Sequence, residues 1–163
     1  MPSYLSMLLA FAAPALPACY GDNLETAHEQ GNEAVGHSHE APHAAAGGML
    51  VELGDHLAQM EVLPDFETGE LRLFFWDGHA ESPVRLTQTM LKLTVTVGEA
   101  SFNLLLAARA SSLTGETVGD SSEFLGVEER LRGARGFTAV AQRLDVLGSS
   151  FESVPITYSQ GDH

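Results

Sequence analysis

The segment Leu91-Lys92-Leu93-Thr94-Val95-Thr96-Val97 alternates without a break, apolar at every odd position and polar at every even one. A repeat of two residues is that of a β-strand, whose side chains point to opposite faces in turn, so this strand puts one face on a core and the other in water. One-sided burial is typical of antiparallel sheets. Similar short segments recur along the chain. Met49–Leu53 and Leu57–Leu63 read as two strands, Pro64–Gly69 carries turn chemistry, and Glu70–Asp77 reads as the next strand. Leu71, Leu73 and Phe75 share its core face, and Phe74 and Trp76 lie on the other. After Gly78–Pro83 the chain resumes at Val84–Leu86, and Ser101–Arg109 follows the Leu91–Val97 strand. Residues 110–126 read as a long loop that ends in a short strand, Glu123–Leu125. Val127–Gly133 reads as a turn or two of helix, with Glu128 and Glu129 early and Arg130 and Arg132 late, as the helix dipole prefers. Gly136–Val146 and Phe151–Tyr158 are read as strands, the last at a sheet edge because Pro155 cannot donate to a neighbour. These segments predict an all-β domain over residues 49–160. The expected architecture is a β-sandwich, immunoglobulin-like in the first instance, or a small barrel of about seven to eight strands.

The first 48 residues differ in kind. Residues 4–18 are apolar, uncharged and interrupted by proline, and are shorter than the roughly 20 apolar residues a spanning helix needs. They read as the apolar part of a signal peptide over residues 1–18. Leu16-Pro17-Ala18-Cys19 then resembles the lipobox of bacterial lipoproteins, in which the cysteine is acylated and becomes the new N-terminus. The resemblance implies a lipid-modified Cys19, a palmitate-type acyl anchor and, with Tyr20 following, the periplasmic face of the outer membrane. Ordinary cleavage after Ala18, with no lipid, is the alternative. Cys19 is the chain's one cysteine, so neither an intrachain disulfide nor a cysteine-based zinc knuckle is open to it.

From Cys19 to Gly48 the chain is rich in Gly, Ala, Glu, His and Asn and sparse in aliphatics, which reads as a flexible tether. Five acidic residues and no Lys or Arg lie in it, leaving 17 acids against 8 bases beyond. A net charge of −14 makes nucleic acid a poor partner. His37, His39 and His43 lie within seven residues of one another, with Glu40 and Glu33 nearby. Neutral imidazole suits zinc, copper and nickel, so these three histidines are the leading candidate metal ligands. A second candidate pair is His56 and His79, each at a strand end beside an aspartate, Asp55 and Asp77, that could orient an imidazole. The sequence offers no catalytic constellation: the serines lack a nucleophile-elbow setting and residues 114–120 lack a phosphate-loop ending, so the chain reads as a binding protein and not an enzyme.

A wider resemblance covers about a quarter of the chain. Gly47-Gly48, Leu50-Val51-Glu52-Leu53-Gly54, Glu61-Val62, Thr68-Gly69 and Trp76-Asp77-Gly78-His79-Ala80-Glu81 with Pro83-Val84 resemble a small β domain of uncharacterised bacterial lipoproteins. The same order is similar to N-terminal regions of periplasmic adaptor subunits of heavy-metal efflux systems. The resemblance implies an extracytoplasmic role near metal handling and an envelope or efflux protein as partner.

Overall fold

The computed structural model describes residues 42–161. Cys19, His37, His39 and the apolar leader lie outside the described residues.

Eight strands form one sheet in which every pair is antiparallel. They are β1 (Met49–Leu53), β2 (Ala58–Asp65), β3 (Glu70–Asp77), β4 (Met90–Val97), β5 (Ala100–Ala108), β6 (Glu123–Val127), β7 (Gly136–Val146) and β8 (Ser149–Ser159). Their spatial order is β1-β2-β3-β6-β5-β4-β7-β8. The meander β4-β5-β6 sits in the middle, with β3 laid beside β6 and β7 returning beside β4, a Greek-key arrangement. The end strands β1 and β8 approach each other: a Cβ on Gly54 would lie 3.4 Å from the Phe151 ring. The eight strands therefore form a nearly closed barrel. Of the two expected architectures this is the second, because pairing runs from β1 to β8 without the gap that separates the sheets of a sandwich.

The alternation of β4 is realised as read: Leu91, Leu93 and Val95 are buried and Lys92 is exposed. Leu71, Leu73 and Phe75 of β3 are wholly buried, and Phe75 meets Phe124 edge-on at 5.7 Å. Burying one such side chain contributes about 1.5–3 kcal/mol. Gly126 lets β6 pass close to its neighbour, since a Cβ there would lie 2.8 Å from the Leu105 carbonyl. Pro155 lies on β8, an end strand of the sheet, as expected.

The hairpin β7-β8 departs from simple alternation. In β7 the buried positions run Phe137, Ala139, Ala141 and then Leu144, Val146, with Gln142 and Arg143 both exposed. In β8 the matching break falls at Glu152 and Ser153, and Ser153 takes a φ of 57°. Both strands change the face they bury at the same level of the ladder, which bends the hairpin and keeps both halves on the core.

Directions alternate around the sheet, so the β1-β2, β3-β4, β5-β6 and β7-β8 connections share one end, here the loop end. The opposite end holds residues 42–48, the β2-β3 and β4-β5 turns and the β6-β7 connection. The expected helical turn is a single 3-10 turn, Glu129–Leu131, capped by the Glu128 side chain, which accepts from Arg130 N. It drops Leu131, wholly buried, into that end of the barrel. Phe66, Phe137 and Tyr158 pack beside it, the last two rings stacked at 5.7 Å.

Candidate functional site

His43 is the one member of the histidine tract among the described residues, and it is exposed. It belongs to a strap, residues 42–48, whose last part is bound to the barrel. On β2, Met60 and Val62 point into the core, so Glu61 between them points outward. Yet Glu61 is 0 % exposed. The strap covers it: one carboxylate oxygen, Oε1, accepts the N–H groups of Ala46 at 2.9 Å and Gly48 at 2.8 Å. The other, Oε2, accepts Trp76 Nε1–H at 2.9 Å and Ala46 N–H at 3.1 Å. No Lys or Arg ion-pairs with Glu61 among the described residues, and a buried carboxylate is tolerable only when donors replace the water it gave up. Gly48 must be glycine for the strap to lie so low, because a Cβ there would be 2.6 Å from the Val62 carbonyl oxygen. Residues 46–48, counted with the tether from sequence, are thus tied to the domain. His43, Gly47, Gly48 and Leu50 line a shallow open depression of ≈ 490 Å³ at this place.

The second cluster is at the loop end. His56 follows β1 and takes a φ of 53° in the tight β1-β2 turn. Its backbone N–H donates to Glu52 Oε1 at 2.9 Å, and its Nδ1 lies 3.4 Å from the same oxygen. Glu52, Asp55 and His56 bring their donor atoms within 4.8 Å of one another, all exposed. The cluster offers two carboxylates and an imidazole, donor types that zinc accepts, and all three are open to solvent. His79 is not one of the three. The β1-β2 and β3-β4 loops do meet, at backbone level: a Cβ on Gly78 would sit 2.0 Å from the His56 carbonyl oxygen. Asp77 organises the β3-β4 loop by accepting the N–H groups of Glu81 at 2.9 Å and His79 at 3.3 Å. The Glu81 N–H bond is the main reason the Asp77 carboxyl titrates below its usual range. Thus Asp77 orders a loop, and Asp55, the other aspartate marked in the sequence, is the one that joins a histidine.

Two tight turns crown the β5-β6 connection. Ser111 and Glu116 pair across one, and Thr117 and Asp120 across the next. Arg85 staples both, donating to the Thr114 carbonyl at 2.6 Å and to Asp120 Oδ2 at 2.9 Å. It also lies 3.7 Å from Glu116, a buried carboxylate that accepts the Ser122 hydroxyl at 2.6 Å. The apices of these fixed turns carry Leu113, 97 % exposed, and Val118, 60 % exposed.

Sequence reading did not find Glu61, Glu52 or the Arg85 staple. Glu61 carries the same alternation signal as any solvated strand residue, and only the fold shows what lies above it. Comparison with protein-family models, curated proteins and solved structures finds no match. No helix among the described residues is long and apolar enough to cross a membrane.

Proposed function

We propose that the chain is an exported, lipid-anchored binding protein that holds a transition-metal ion, zinc, copper or nickel, on the His37, His39 and His43 tract of its tether. Cys19 carries the anchor, and the periplasmic face of the outer membrane is its place. The observation that carries the reading is the setting of His43: an exposed imidazole on a segment whose next residues are fixed to a barrel. The Glu52, Asp55 and His56 cluster adds a second, exposed donor set of the same chemical kind. Calorimetric titration of residues 19–163 bearing Cys19→Ser with zinc, copper and nickel tests it. Binding is expected to fall at least tenfold when His37, His39 and His43 are all changed to Ala, and undiminished binding by that variant overturns the reading. The anchor is tested separately. Cys19→Ser in the full chain is expected to move the protein from the membrane to the soluble fraction of the cell envelope, and unchanged partitioning counts against lipidation.

A second reading is favoured by Leu113 and Val118. Rigid turns that present apolar side chains to solvent suit docking on an envelope or efflux protein, because the contact residues are ordered before the partner arrives. On that reading Leu113→Asp abolishes capture of the partner by residues 42–163, and the histidine tract is dispensable for it.

A further inference from the structure

The outer face of the central meander is not uniformly polar. Leu105 of β5 and Met90 at the start of β4 are each 52 % exposed, and Val127 of β6 is 62 % exposed. The strand register joins them into one patch. Met90 faces Ala107 across β4-β5, and Ala107 faces Leu125 across β5-β6. Two positions along, Lys92 faces Leu105, and Val127 faces Glu70 of β3. Carrying the β5-β6 register those two positions on sets Leu105 beside Val127. Single exposed apolar residues are ordinary on a protein surface, whereas a contiguous set on adjacent strands marks a contact surface.

The row Lys92-Leu105-Val127-Glu70 reads cation, two aliphatics, acid. Lys92 is the chain's one lysine, exposed and without an ion pair among the described residues. At the other end Glu70 and Glu123 share one guanidinium, that of Arg72, at 3.0 and 3.4 Å, so this flank keeps a surplus negative charge. We propose that a second copy of the chain covers this face as a two-fold pair, Lys92 of each copy meeting Glu70 of the other across a Leu105 and Val127 centre. An isologous interface requires a surface that complements itself. A two-fold axis in the contact plane, along the strands and midway between β5 and β6, turns the row end for end. It lays Lys92 on Glu70 and Leu105 on Val127. The next row, Met90-Ala107-Leu125-Arg72, turns with it and sets Met90 over the aliphatic stem of Arg72. Opposite charges flanking an apolar centre symmetrically fit this face to itself. The outward curve of the barrel parts the two sheets away from the axis, and there the long side chains stand, Lys92 and Met90 on β4 and Glu70 and Arg72 on β3, with shorter ones between. The patch is small beside the about 800 Å² per partner of a standard interface, so the pairing is reversible and depends on concentration.

The test is sedimentation equilibrium of residues 19–163 bearing Cys19→Ser, a form that cannot join copies through a disulfide, over a range of concentrations. A monomer that passes to a dimer as concentration rises is expected. Leu105→Asp is expected to abolish the dimer, and Lys92→Glu to weaken it about tenfold by setting like charges opposite each other. Lys92→Glu combined with Glu70→Lys restores the opposition and is expected to recover pairing; this rescue reads the interface itself and does not depend on Leu105→Asp folding. Carbodiimide coupling of a mixture of heavy- and light-isotope chains is expected to join Lys92 of one copy to Glu70 of the other. Within one copy the two residues stand three strand spacings apart, roughly 14 Å, too far for a direct amide. A chain that stays monomeric at every concentration, a dimer that persists in both single variants, or a double variant that pairs no better than Lys92→Glu overturns the proposal. A monomer that instead sediments with phosphatidylcholine vesicles, and ceases to in Leu105→Asp, gives this face to a lipid surface and likewise overturns it.

Discussion

Gly78 and His56 show how little room one residue can have. The two loops they belong to pass so close that any side chain at 78 would overlap the His56 carbonyl. Gly78→Ala is therefore expected to destabilise the fold by about 1–3 kcal/mol, read as a lower urea midpoint, because backbone and not a flexible side-chain tip must yield. Its neighbours would feel the change first: the His56 turn carries the Asp55 and His56 donors. At this scale the sequence is least informative. It marks His56 and His79 as a pair through their adjacent aspartates, whereas the spatial grouping is Glu52, Asp55 and His56. The difference arises because a tight turn folds His56 back over its own strand, onto the residue four positions earlier. The identity of Glu61 as a buried group is likewise set by residues outside β2, the strap above and Trp76 beside it.

At the level of elements, far more was legible. The spans of β1, β3 and β7 coincide with the segments read from alternation and turn residues, and β4 differs by one residue. Strands with one buried face announce themselves, since their period is a property of the strand alone. The connection from β5 to β6 was legible only as a loop. Its order comes from Arg85, distant in sequence, whose role cannot be inferred from composition. Arg85→Leu is expected to lower stability by about 1–2 kcal/mol, since Glu116 loses its cationic neighbour while remaining buried. Limited proteolysis between Ser112 and Gly119 should become faster in that variant, and unaltered cleavage would show that the turns hold themselves. The face change of β7 and β8 at Gln142 and Ser153 was also invisible beforehand, because two adjacent exposed residues on one strand look like noise until the partner strand shows the same break.

For the molecule as a whole, acid is the informative perturbation. Several carboxyls titrate lower in the folded chain than their ordinary values: Asp65 through the Thr68 side chain and nearby N–H groups, Asp77 through the Glu81 N–H, Glu128 through Arg130, and Asp145 through Arg143. A depressed carboxyl adds stability that is complete above its unfolded value and is lost as pH falls through its folded one. The ordinary values are 3.8 for Asp and 4.5 for Glu. The urea midpoint is therefore expected to be flat near neutrality and to fall below about pH 4; a midpoint unchanged at pH 3 would show that these bonds do not outlast the surrounding chain. The all-β class was legible in advance, and the choice between sandwich and barrel was not, because it depends on whether β3 pairs with β6 and β4 with β7, contacts between segments far apart in sequence.

An even number of strands, each antiparallel to the next, makes the first and the last run in opposite senses. Met49 and Ser159 consequently open and close the barrel at the same end. Such a body behaves as a cassette: it can be spliced into an exposed loop of another protein, or permuted by joining its two ends through a short Gly-Ser bridge and cutting a loop-end connection. A permutant opened within the Leu113 turn should keep the barrel while freeing that apex, giving a direct way to move the barrel's two termini from one of its ends to the other.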